Sequence, residues 1–102
     1  MEGTVKYRVV VRAKAEADML AAARWYEEQN TGLGTEFLRA AEICIASVAC
    51  NPYMYAVMYK NIRRALFRRF PYGLFFPLSD DTTTVIACLH GRQTLARLKH
   101  RK

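Results

Sequence analysis

Cysteine is scarce and poorly spaced for chemistry. Cys44, Cys50 and Cys88 are odd in number and form no CxxC pair, which argues against both a disulfide framework and a zinc site. They read instead as small apolar residues of a reduced core. No run of about 18 apolar residues occurs, so no segment reads as a membrane-spanning helix. The opening MEGTVKYRVVVR carries charge every two or three residues and lacks the apolar stretch of a signal peptide. A cytoplasmic protein is expected. There is no glycine-rich phosphate loop and no GxSxG elbow, and no motif calls for a metal or other cofactor.

Acidic residues are scarce in one half only. Residues 1–51 carry six Lys/Arg against seven Asp/Glu, a net −1, whereas residues 52–102 carry ten against two, a net +8. All the excess charge of the +7 chain therefore lies in the second half. Such asymmetry points to a nucleic-acid or acidic-partner surface. The length of 102 residues fits a single domain spanning residues 1–102, long enough to bury about two-thirds of its unfolded surface in one core. At 52% hydrophobic and 25% charged, the composition is that of a globular chain.

Residues 5–12, VKYRVVVR, alternate with Val5, Tyr7, Val9 and Val11 on one side and predict a strand. The period then changes. Residues 15–29, AEADMLAAARWYEEQ, are rich in helix formers, with Glu16 and Asp18 in the first turn. Their apolar stripe is read as Ala17, Met19 or Leu20, Ala21, Ala23 or Arg24, and Trp25 with Tyr26. Two glycines in NTGLG make a tight connector. A second helix is predicted over 35–50, with Phe37, Leu38, Ala41, Ile45 and Val48 on one face. Asn51-Pro52 ends it.

The second half reads as β. Residues 53–61 suggest a loop of extended character, followed by strands at about 63–70, 72–78 and 83–90. The last two are joined by the polar turn Ser79-Asp80-Asp81-Thr82. Short connections imply a meander. The expectation is an α+β fold of order β-α-α-β-β-β, with a helical hairpin packed on one face of a small, mainly antiparallel sheet. Pro77 falls inside the middle strand of the meander, where it has no N–H to donate, so the strand is expected to end or bulge there.

The stretch RRALFRRFPYGLFFPL, residues 63–78, is the most unusual. Arg63, Arg64, Arg68 and Arg69 surround Ala65, Leu66 and Phe67, so both faces of a strand here carry apolar residues and cations. With one face covered by the hairpin, Leu66 or Phe67 is left exposed among arginines, a poor surface for water and a good one for a partner.

This order, with Arg63-Arg64, then Arg69-Phe70-Pro71-Tyr72, then a strand ending in His90-Gly91-Arg92, resembles the RelE/ParE family of bacterial type II toxins. The resemblance covers nearly the whole chain, from Tyr7 to Arg101. It implies a toxin neutralised by a cognate antitoxin whose C-terminal segment wraps it, in a toxin–antitoxin hetero-oligomer; a homodimer is the other assembly to consider. RelE-like members cut mRNA on the ribosome, and ParE-like members poison DNA gyrase. For mRNA cleavage the matching residues are His90, Arg92, Arg64 and Arg68. That set is incomplete: Leu66 stands where another lysine would be useful, Gly73 where an arginine is expected, and Leu98 at the C-terminal tyrosine position. Arginine also clamps charge well but shuttles protons poorly near neutral pH.

The ParE-like reading asks only for a basic, partly apolar docking surface. Arg63, Arg64, Arg68, Arg69, Arg92, Arg97, Lys99 and Arg101 would supply charge, and Leu66 and Phe70 apolar contact. The expected target is DNA gyrase, with the ribosome and its mRNA as the alternative. An inactive antitoxin-binding module is the third reading.

Overall fold

The computed structural model describes residues 7–91. Within them the chain runs β1 (Arg8–Val11), α1 (Ala13–Gln29), α2 (Leu33–Cys50), a 3-10 turn (Pro52–Met54), β2 (Val57–Tyr59), β3 (Ile62–Leu66), β4 (Tyr72–Ser79), β5 (Thr82–Val85) and β6 (Ala87–His90). The sheet has the order β1-β5-β4-β3-β2, with β6 also beside β4. Every pairing is antiparallel except that of β1 with β5. The α+β fold with its helical hairpin on a mainly antiparallel sheet is as expected. The strand count is higher, because part of 53–61 forms β2 and the strand expected over 83–90 is broken at Ile86.

The hairpin closes by a local device. Gly32 has φ of 93° and precedes α2, a left-handed backbone that glycine adopts without penalty. The Glu27 carboxylate reaches back to accept from the N–H of Gly32 at 3.0 Å and of Gly34 at 2.9 Å. It thus satisfies donors that the first turn of α2 cannot satisfy itself. These bonds hold the Glu27 carboxyl below its ordinary pKa. α1 buries Ala15, Met19, Ala22 and Ala23. Ala17, Ala21 and Trp25 from the expected stripe face outward instead.

Phe37 on α2 is fully buried and centres an aromatic cluster. Its ring lies 5.4 Å from Tyr26, 5.3 Å from Phe67, and 5.1 Å from both Phe70 and Tyr72, the spacing of stacked and edge-to-face pairs. A second, smaller cluster of Ile62, Phe75, Ile86, Ala87 and Leu89 lies on the other face of the sheet.

Three expectations are corrected here. The arginine strand stops at Leu66. Residues 67–70 instead form a turn that buries Phe67 and Phe70 and leaves Arg68 and Arg69 exposed, with the Phe67 N–H donating to the Tyr72 carbonyl at 2.9 Å and the Tyr72 N–H to the Phe70 carbonyl at 2.7 Å. Pro77 neither ends nor bulges its strand, and pairs in register with Ile62. The bulge lies on the partner strand. Between Leu78↔Thr83 and Phe75↔Ala87, three steps along β4 oppose four along the other chain segment, and the Ile86 N–H donates to the Phe75 carbonyl at 2.9 Å. Residues two apart in a strand direct their polar groups to the same side. The missing N–H of Pro77 therefore faces this irregular side and leaves the ladder to β3 intact. Last, Cys44 and Cys88 are buried as expected, but Cys50 is exposed. It closes the last turn of α2, off the core stripe.

Candidate functional site

The early end of β3 makes the site. Where residues 66–69 turn away from the sheet they leave a groove of about 530 Å³ against α2, closed at one end by the turn carrying Met54 and Tyr55. The α2 wall is a second stripe, Glu36, Arg39, Ala40, Ile43 and Ser47, at three- and four-residue steps beside the core stripe. Three large apolar side chains are left in water along it: Ile43 at 56% exposure, Met54 at 62% and Leu66 at 57%. Cys44 forms part of the floor, where burial pushes its thiol up to about 11. At neutral pH it is a neutral apolar group, and its Sγ–H lies 3.6 Å from the Ala65 carbonyl.

Charge rings this floor. Arg39, Arg68 and Arg69 line the rim. The Arg69 Nη2 donates to the Glu36 Oε1 at 2.8 Å, a bridge with both side chains half-exposed or more, hence of small energy. Tyr55 packs edge-on to Phe76 at 6.0 Å. Its phenol is raised from its ordinary pKa by burial first and by the nearby Cys44, with a Ser47 hydrogen bond opposing.

The residues singled out in the sequence separate into groups. Leu66, Arg68 and Arg69 share the groove. Phe67 is 6% exposed and Phe70 is buried too, so Phe70 serves the aromatic core rather than a surface contact. The Phe-Pro-Tyr motif is thus architectural: Tyr72 joins the same cluster, and the Pro71 carbonyl accepts from the Gly91 N–H at 2.8 Å. Arg63 is half-buried and donates to backbone carbonyls. Arg64 sits on the far face of the sheet beside Gly73, whose added Cβ would lie 3.2 Å from the Arg64 Cγ. His90 lies on the helix side, its ring 5.3 Å from that of Tyr72, which itself packs on Tyr26 and Phe37. His90 and Arg64 are therefore on opposite faces and do not converge. Arg92, Arg97, Lys99 and Arg101, together with Leu98, lie outside the described residues.

The particular residues of the α2 wall and of the Met54–Tyr55 end of the groove were not singled out in the sequence. Their signals were there: Ile43 is an apolar residue off the Phe37–Ala41–Val48 face, and residues 53–58 hold five apolar or aromatic side chains that the core does not claim. Among the described residues no three His, Cys, Asp or Glu gather as metal ligands, and no helix is long and apolar enough to cross a membrane.

As a class, this is a small α+β domain with an apolar groove under a basic rim. Its sequence matches the family model described as the ParE toxin of the type II toxin-antitoxin system, parDE, over residues 9–95. The chain belongs to the ParE toxin family. A solved structure of the chromosomal ParDE toxin–antitoxin system from P. aeruginosa superposes with a TM-score of 0.72, covering 83% of this chain and 96% of that one. The identity is 12%, so this likeness speaks for the fold. No curated protein matches the sequence.

Proposed function

We propose that this ParE-type toxin acts by binding and poisoning DNA gyrase, and that a cognate antitoxin neutralises it by laying an amphipathic, acidic segment in the groove between α2 and the end of β3. The observation that carries the reading is the groove itself, with Ile43, Met54 and Leu66 exposed beneath Arg39, Arg68 and Arg69. Covering each apolar side chain is worth up to about 1.5–3 kcal/mol before ordering costs. Acidic groups of the segment would meet the arginines, which steer the encounter and fix its register.

A docking toxin also fits what the candidate catalytic residues do. Metal-free RNA cleavage needs a proton acceptor and cations around one phosphate. His90 and Arg64 point away from each other across the sheet, and Arg68 belongs to the groove. A basic surface of this kind suits association with a large partner better than acid–base work.

The test is growth arrest on induced expression, followed by gyrase supercoiling and ribosome-dependent mRNA cleavage with one preparation of toxin. The expected result is arrest, lost supercoiling and intact mRNA, all reversed by the antitoxin. Cleaved mRNA with untouched gyrase would sink the gyrase reading and promote His90 and Arg92. Normal growth with tight antitoxin binding would identify an inactive binding module.

A further inference from the structure

Arg63 differs from its neighbours in the arginine cluster. Its Nη1 donates to the Tyr55 carbonyl at 2.7 Å and lies 3.4 Å from the Tyr53 carbonyl. The guanidinium carbon stands 5.3 Å from the centre of the Tyr53 ring, within reach of a cation–π contact. One planar cation thus holds both sides of Met54. The backbone bonds within the turn, Met54 to Asn51 and Tyr55 to Pro52, are both 3.4 Å long, at the weak end of the range, and its other ties run through neighbouring side chains: the Tyr55 ring on Phe76, the Tyr55–Ser47 hydrogen bond and the Tyr53 ring on Tyr7. Arg63 itself stands on β3, opposite Val57 of β2 and Phe76 of β4.

We infer that Arg63 is a positioning residue for the groove: it sets the Met54–Tyr55 wall from within the molecule and does not itself contact the partner. The inference rests on the reading that the groove seats the antitoxin segment. It separates two kinds of arginine in one run of sequence. Arg68 and Arg69 present charge to the groove, whereas Arg63 aims its donors at carbonyls of its own chain. Lysine carries the same charge, but its point-like ammonium cannot reproduce the fork or the stacking.

The experiment compares Arg63→Lys and Arg63→Gln with Arg68→Gln and Arg69→Gln. The probe is a synthetic peptide of the cognate antitoxin's C-terminal segment, titrated across a range of salt. Amide hydrogen exchange and thermal unfolding are followed on the free toxins. Both Arg63 variants should bind about tenfold more weakly, the scale of losing a charged hydrogen bond, with the salt dependence of wild type. Exchange should quicken at residues 53–58 and not in β3 or β4. Arg68→Gln and Arg69→Gln should instead lower the salt dependence and leave exchange at 53–58 unchanged.

Wild-type affinity in Arg63→Lys would overturn the inference, because charge alone would then suffice. So would a drop in the salt dependence of Arg63→Gln equal to that of Arg68→Gln, which would make Arg63 a contact. Exchange rising throughout the sheet would reduce Arg63 to a general stabiliser and overturn it as well. Failure of wild-type toxin to bind the peptide is a separate outcome, which removes the groove reading and this inference together.

Discussion

Replacing Gly34 by alanine tests how closely the hairpin is packed. A Cβ at this position would lie 2.6 Å from the Ala23 carbonyl oxygen, 3.0 Å from the Glu27 Oε1 and 3.1 Å from the Glu27 Cβ. The first of these is backbone in the middle of α1 and cannot swing aside. Restoring an ordinary contact of 3.4 Å requires α1 and α2 to separate by 0.8 Å at this point. Overpacking of this sort costs about 1–3 kcal/mol, and the higher helix propensity of alanine returns at most about 1 kcal/mol. The Gly34 N–H bond to Glu27 would be strained by the same movement. The expected result is a net loss of about 1–2 kcal/mol, or roughly 4–16 °C in melting temperature for a domain of this size. Urea unfolding followed by far-UV circular dichroism measures it. A variant as stable as wild type would refute the close approach of the helices. The same displacement shifts the α2 wall of the groove, so antitoxin affinity should fall with stability.

Four further outcomes are expected. Thr83 is fully buried and its hydroxyl oxygen has no partner among the described residues, so Thr83→Val should be neutral or raise stability by about 1 kcal/mol; a clear loss in urea unfolding would reveal a bond. The Glu27 carboxyl is held below its ordinary value of 4.5 by the Gly32 and Gly34 N–H groups. A depressed folded pKa gives stability that is complete above that ordinary value and is lost as pH falls through the lower, folded one. Wild type should therefore weaken over that acid range, and Glu27→Gln should start weaker at neutral pH and show a flatter acid limb. Burial raises the Cys44 thiol to about 11 and the Cys88 thiol to about 12, while Cys50 is exposed; iodoacetamide on native protein should label Cys50 alone by mass spectrometry. Leu66→Glu places an acid in the exposed groove, and should cut antitoxin affinity by tenfold or more, about 1.4 kcal/mol, with an unchanged melting temperature by calorimetry.

Much of the architecture is legible in the order of residues, because the signals for it are local. Helix formers with an apolar period, the glycine pair at 32 and 34, and the Asn51-Pro52 stop mark the hairpin. The Asp80-Asp81 turn marks the β4–β5 connection, where Asp80 takes a positive φ of 56°, a conformation aspartate tolerates. The basic second half, and Leu66 or Phe67 set among arginines, are equally local facts; that Leu66 is the exposed one follows from the pairing of β3. The residues that wall the groove are not local, since they come from α2, the turn at 54–55 and residues 66–69, which meet only because β3 ends early. Four arginines in one run look alike on paper. What separates them is where each side chain arrives once the sheet is paired: Arg63 on carbonyls of the neighbouring turn, Arg64 on the far face, Arg68 and Arg69 on the groove. The same holds for Phe70 and Cys50, whose burial depends on long-range packing of the aromatic cluster and on which side of α2 faces the sheet. Local periodicity dictates the elements and their order; which cation meets water, backbone or partner is set by contacts across the fold, and sequence spacing carries no measure of those distances.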